Sequence, residues 1–163
     1  MWRSYFGKGS HIYGVDIEPA CKCYETDDVS IFIGDQADKA FWSSFKRRLN
    51  GIDVLIDDGG HTVAQQLVTL EEMLPFIRPG GVYLCEDIHG DFNRFGGFAA
   101  SLINALNRVE ILQDATLSSA ASRFQRHIKS IHFYPYVLVI EKNAEPVERF
   151  CAPKHGTEWQ PFL

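Results

Sequence analysis

Residues 52–61 read IDVLIDDGGH. Ile52 to Ile56 is a short apolar run of β-forming residues, and it stops on two carboxylates, two glycines and an imidazole. From Thr62 to Ile77 the apolar residues Val63, Leu67, Leu70 and Leu74 recur at helical spacing on one face. A buried strand that passes through a glycine turn into an amphipathic helix is one β–α unit. Arg78-Pro79-Gly80-Gly81 then reads as a turn, and Val82 to Cys85 as the next strand.

The same alternation extends upstream. HIYGVDI at 11–17 is an apolar run stopped by Asp16, Glu18 and Pro19, and VSIFIG at 29–34 is a second. Gln36 to Leu49 carries Ala37, Ala40, Phe41, Phe45 and Leu49 at helical spacing, with Asn50-Gly51 as its stop. Downstream, Phe95 to Leu106 reads as a helix and Val109 to Leu112 as a short strand or helix end. SIHFYPYVLVIE at 130–141 is a β-rich run that suggests an edge hairpin, and the tail after Lys142, with its prolines, reads as irregular coat. Strands alternating with helices predict an α/β fold in which a mostly parallel sheet has helices on both faces and a C-terminal antiparallel edge.

The chain has 163 residues, 45% of them hydrophobic and 23% charged, which suits a single domain over 1–163 with one core. Its formal charge of -5, with scattered lysines and arginines, disfavours a nucleic acid partner. No apolar run approaches the roughly 18 to 20 residues of a membrane span, and the start MWRSYF lacks a secretory apolar core, so a cytoplasmic protein is expected. The four cysteines make no disulfide framework, and the Cys21-x-Cys23 pair reads as part of a surface loop.

Ligands of open α/β sheets bind beyond the carboxyl ends of the strands. Here those ends are acidic: Asp16, Asp35, Asp57-Asp58 and Glu86-Asp87. A carboxylate at Asp16 can accept bonds from both ribose hydroxyls of a nucleoside. Asp35 either meets an adenine amine or caps a helix starting at Gln36. Asp58 and Asp87 could meet across a short gap, and a hard cation such as Mg²⁺ would relieve their repulsion. His61 beside such a cation suits a general base, or else it caps the helix at Thr62. His89 is a second, weaker candidate for base or ligand.

With these residues assembled, the chain resembles the class I S-adenosylmethionine-dependent methyltransferases, in particular the metal-dependent sugar O-methyltransferases of macrolide biosynthesis. The carriers are IYGVDIEP at 12–19, GDQAD at 34–38, IDVLIDDGGH at 52–61, LPFIRPGGVYLCEDIHG at 74–90 and IHFYPYVLVIEK at 131–142. The resemblance implies a Rossmann-like three-layer sandwich that transfers a methyl group from S-adenosylmethionine to a hydroxyl of a sugar or other small metabolite. It implies that Asp16 and Ile17 hold the cofactor's ribose, that Asp35 and Gln36 read its adenine, and that Asp57 lies near its methionine end. Asp58, Glu86 and Asp87 would bind the divalent metal, and His61 would take the proton from the acceptor.

The resemblance also implies a first strand and a glycine-rich cofactor turn ahead of IYGVDI, and only Met1 to Lys8 precede Gly9. The expectation is therefore an N-terminally truncated domain whose first strand is missing, with a homo-oligomer as one way for the sheet to find another strand partner. Two alternatives follow: a catalytically inactive module of the same fold, or a non-haem iron enzyme similar to the cephalosporin hydroxylases, using His61, His89 and Asp58.

Overall fold

A computed structural model of the chain describes residues 2–89, 93–108 and 118–151. In chain order the elements are α1 (Trp2–Phe6), β1 (Ile12–Asp16), β2 (Val29–Ile33), α2 (Lys39–Lys46), β3 (Ile52–Asp57), α3 (Val63–Met73) and β4 (Ile77–Cys85). They continue as α4 (Arg94–Leu106), β5 (Ser118–Ala120), α5 (Arg123–His127), β6 (Ile128–Tyr134), β7 (Val137–Lys142) and β8 (Arg149–Cys151).

β1 pairs with β2 in parallel. A separate four-stranded sheet has the order β3-β4-β7-β6, in which β3 and β4 are parallel and the β6–β7 hairpin adds an antiparallel edge. The expected alternation and edge hairpin are therefore present. The tail differs from the irregular coat expected of it, because Arg149–Cys151 pairs antiparallel with Ser118–Ala120. The expected element at Val109–Leu112 and the end of the tail lie outside the described residues.

Three boundaries move for local reasons. α2 begins at Lys39 rather than Gln36, because the Asp38 side chain accepts the Ala40 N–H at 2.8 Å and caps the helix there. α3 stops at Met73 and tightens into a 3-10 turn at Leu74–Phe76, where Pro75 has no N–H for a helical bond. The Arg78–Gly81 segment is part of β4 instead of a turn before it, with a register shift opposite Ile52 and Val54. Ile77, 1% exposed, anchors the start of that strand in the core. Gly80 takes φ 77°, and a Cβ on Gly81 would lie 2.4 Å from the Asp53 carbonyl oxygen, so both glycines are needed where the two strands meet.

α2 packs beside α3 and α3 beside α4, with α3 against β3 and β4 and α4 against β6. Trp42, Phe45 and Met73 form one cluster, with Val15, Phe32 and Leu55 against it. Leu70, Tyr83, Cys85, Phe95, Leu138 and Ile140 form the other. Each such side chain, fully buried, contributes roughly 1.5–3 kcal/mol. The period-two alternation turns Val54, Ile56, Val82, Leu84 and Val139 to the opposite face, where they are half-buried or exposed.

Among the described residues no strand pair joins β1–β2 to the four-stranded sheet, which leaves a gap between the two. The outer edge of β2 is finished locally: the Glu25 carboxylate accepts the Ile31 N–H at 2.9 Å, and the Lys22 ammonium donates to the Ile31 carbonyl. Ile12 and Asp16 bond toward β2 and Asp57 toward β4. Alternation therefore aims the peptide groups of Tyr13 and Val15, and of Val54 and Ile56, at edges with no strand neighbour among the described residues. In hydrogen exchange these four amides are expected to exchange well before those of Gly14 and Leu55. Equal protection would mean that another strand occupies the gap.

Candidate metal and cofactor site

The strand period separates the two adjacent aspartates. Asp57 points inward and is 6% exposed, whereas Asp58 is exposed at the carboxyl end of β3. The Asp57 carboxylate accepts from Gln36 Nε2 at 2.9 Å and from the Tyr83 hydroxyl at 3.3 Å, with the Cys85 thiol at 4.0 Å. Burial raises the Asp57 pKa, and the bonds from Gln36 and Tyr83 oppose that rise. Burial, followed by the Asp57 charge, pushes the Tyr83 phenol well above its ordinary value and the Cys85 thiol up to about 12. Cys85 therefore stays a thiol. Iodoacetamide at mildly alkaline pH is expected to label exposed Cys23 and to spare Cys85 until the protein unfolds, as peptide mapping would show.

Asp58, His61 and Asp87 come together, with one ligand atom of each within 4.8 Å of the others. His61 Nε2 lies 3.3 Å from Asp87 Oδ2. The Gly59-Gly60 turn brings His61 back to the strand end, and the Gln36 side chain holds that turn by accepting the Gly60 N–H at 2.7 Å. A Cβ on Gly59 would sit 2.2 Å from Gln36 Oε1, so a larger residue there would push the Gln36 side chain off its bond to the Gly60 N–H. Thr62, not His61, caps α3, through a capping box with Gln65.

Asp87 adopts φ 53°, a left-handed conformation that Asp tolerates better than most residues. Its loop is fixed on either side by Glu86 N–H to the Asp57 carbonyl at 2.9 Å and Ile88 N–H to the Tyr136 carbonyl at 3.0 Å. The Glu86 carboxylate does not join the three-residue cluster. Neither does His89, whose ring packs 5.4 Å from that of Tyr136, so the expected set of His61, His89 and Asp58 is not assembled.

The remaining strand ends carry the other expected residues. Asp16 is exposed and accepts the Glu18 N–H at 2.8 Å on Oδ1; that bond and the Cys21 thiol lower its pKa. Ile17 beside it is 68% exposed, an unusual position for a large apolar side chain. Asp35 is exposed and accepts the Ala37 N–H at 2.8 Å, which settles the turn before α2 without capping it. The Gln36 amide is committed to protein partners, since Nε2 donates to Asp57 and, at 3.2 Å, to Thr69.

Two buried polar residues near the cluster, Gln66 and Asn93, were not among those singled out from the sequence. The Asn93 signal was present, as a helix-capping residue just before Phe95, but nothing local marks Gln66 as buried.

No family model matches the chain. It is 33% identical over 156 residues to the mycinamicin VI 2''-O-methyltransferase of Micromonospora griseorubida, covering 87% of this chain and 38% of that protein. It is 30% identical over 156 residues to the 8-demethyl-8-alpha-L-rhamnosyl tetracenomycin-C 2'-O-methyltransferase of Streptomyces olivaceus, covering 88% of this chain and 40% of that one. The chain thus spans about two fifths of the length of the curated relatives it matches. Among solved structures, the MycE methyltransferase of the mycinamycin pathway, in complex with Mg and SAH, superposes with TM-score 0.72 at 29% identity over 87% of this chain and 39% of that one. In sequence and in structure, the chain is a class I methyltransferase-fold protein related to the sugar O-methyltransferases of macrolide biosynthesis.

Proposed function

We propose that the chain contributes the metal-binding and nucleoside-facing part of an S-adenosylmethionine-dependent O-methyltransferase that acts on a hydroxyl of a sugar or other small metabolite in the cytoplasm. The observation that carries this proposal is the convergence of Asp58, His61 and Asp87 where β3 and β4 end. Two carboxylates that form no Lys or Arg ion pair among the described residues, on loops that leave them open to solvent, fit a hard divalent cation such as Mg²⁺. When bound, the cation would raise the acidity of an acceptor hydroxyl, and S-adenosylmethionine would supply the methyl group.

The chain's own residues divide the remaining tasks. Asp58 and Asp87 hold the cation, with Glu86 next to them. Asp16, kept ionised by its bonds to Glu18 and Cys21, offers its remaining oxygen to ribose hydroxyls, and Ile17 offers an apolar surface beside it. Asp35, exposed and bonded to the Ala37 N–H through one oxygen, would accept an adenine amine on the other. Asp57 and Gln36 work from beneath, because their mutual bond ties the loop after β2 to the loop after β3. His61, whose Nε2 lies 3.3 Å from Asp87 Oδ2, would take the acceptor's proton at that nitrogen.

The test is methyl transfer from labelled S-adenosylmethionine to a deoxysugar-bearing acceptor. Transfer that depends on Mg²⁺ and stops with a chelator is expected. A protein that binds both ligands yet transfers nothing to any hydroxyl acceptor would leave the inactive module standing instead.

A further inference from the structure

We infer that Asn93 and Gln66 are positioning residues that hold the two metal-binding loops at a fixed separation, an inference that rests on the metal site proposed above. Both are buried, Asn93 at 6% and Gln66 at 1% exposure. Asn93 Nδ2 donates to the His61 carbonyl at 2.6 Å and to Gln66 Oε1 at 2.6 Å. Gln66 Nε2 continues to the Glu86 carbonyl at 3.2 Å. The result is a continuous chain of hydrogen bonds from the backbone of the Asp58–His61 loop, through α3, to the backbone of the Glu86–Asp87 loop.

The orientation of the Asn93 amide follows from its partners. Its Oδ1 accepts the Phe95 N–H at 2.9 Å and caps α4, which leaves both Nδ2 hydrogens for the bridge. Asn93 thus performs two separable tasks with opposite ends of one amide. Away from water each bridging bond is strengthened, and a lost partner leaves a buried polar atom unsatisfied, so either loop would shift to find a replacement. Such a shift changes the spacing of Asp58 and Asp87 without removing any ligand atom.

Asn93→Ser keeps a good helix cap and deletes the amide donors, whereas Gln66→Leu keeps the Asn93 cap and deletes the middle of the bridge. Mn²⁺ titration followed by electron paramagnetic resonance is the readout, with a thermal melt to show that each variant is folded. Each single variant is expected to bind Mn²⁺ about 10- to 100-fold more weakly, the range seen for residues that orient metal ligands from behind. The double variant is expected to be no weaker than the worse single one, because both break the same connection. Unchanged affinity in either folded single variant, or losses that multiply in the double variant, would overturn the inference while leaving the metal site intact. Absence of Mn²⁺ binding in the unaltered protein would overturn both the site and the inference.

Discussion

Replacing Asp87 by Asn is expected to weaken Mg²⁺ or Mn²⁺ binding by at least about 100-fold, the upper end of what removal of a supporting residue costs, since here a charged ligand itself is lost. The substitution is well controlled. Asp87 sits at φ 53°, and Asn tolerates that conformation as Asp does, so the loop keeps its shape and its bonds from Glu86 and Ile88. Ala at the same position would add backbone strain to the loss of charge and confuse the two effects. Asp58→Asn, on the exposed side of β3, is expected to match it. If Asp87→Asn binds the cation as the unaltered protein does, the cluster at 58, 61 and 87 is a solvated acidic surface and the proposed function loses its foundation.

His61→Gln is expected to slow methyl transfer by about 10²–10⁴-fold, the usual worth of a positioned base. The loss should fall on kcat, with the KM for S-adenosylmethionine unchanged, because the residues proposed to hold the cofactor, Asp16 and Asp35, lie at other strand ends. The geometry also poses a question that this variant answers. His61 Nε2 stands 3.3 Å from Asp87 Oδ2 and within the same cluster as Asp58, close enough to serve as a third ligand. A base loses rate at constant Mn²⁺ affinity, whereas a ligand loses both together. Retained transfer would remove His61 from the chemistry.

The succession of strands along the chain and their acidic ends are legible in the sequence because both follow from local patterns. IYGVD, VSIFI and IDVLID are short apolar runs bounded by turn residues, and each ends where its hydrophobicity ends. The site is legible to the same extent, since DDGGH and EDIH place Asp58, His61 and Asp87 on adjacent loops. The division of labour between Asp57 and Asp58 is not legible in composition, although strand alternation contains it: the last inward position is buried and the next is free. Gln36 shows a different limit. Its polar side chain suits an adenine, but its partners, Asp57, Thr69 and Gly60, come from an element some twenty or more residues away, and only the packing of α2 beside α3 brings them near. The turn expected at Pro79-Gly80-Gly81 becomes part of a strand for a similar reason. Gly81 allows the close approach of β4 to the Asp53 carbonyl of β3, a demand set by the neighbouring strand, while Gly80 supplies the φ of 77° that the irregular segment takes.

The bond from Gln36 to Asp57 also matters for the fold. β1 and β2 are separated from β3 by a gap in the sheet, and the two parts are joined through the α2–α3 contact, the Trp42 cluster and the Gln36 side chain, which bonds to Asp57, Thr69 and Gly60. Asp16 and Asp35, proposed to hold the cofactor, belong to the β1–β2 side, and Asp58 and Asp87, proposed to hold the metal, to the other.

Calorimetric titration with S-adenosylhomocysteine at saturating Mg²⁺ tests most directly the proposal that this chain holds nucleoside and cation together. Saturable binding of one S-adenosylhomocysteine per chain, weakened by Asp16→Asn, is the predicted result. An absence of binding heat in the folded protein, or binding indifferent to Asp16→Asn, would contradict it.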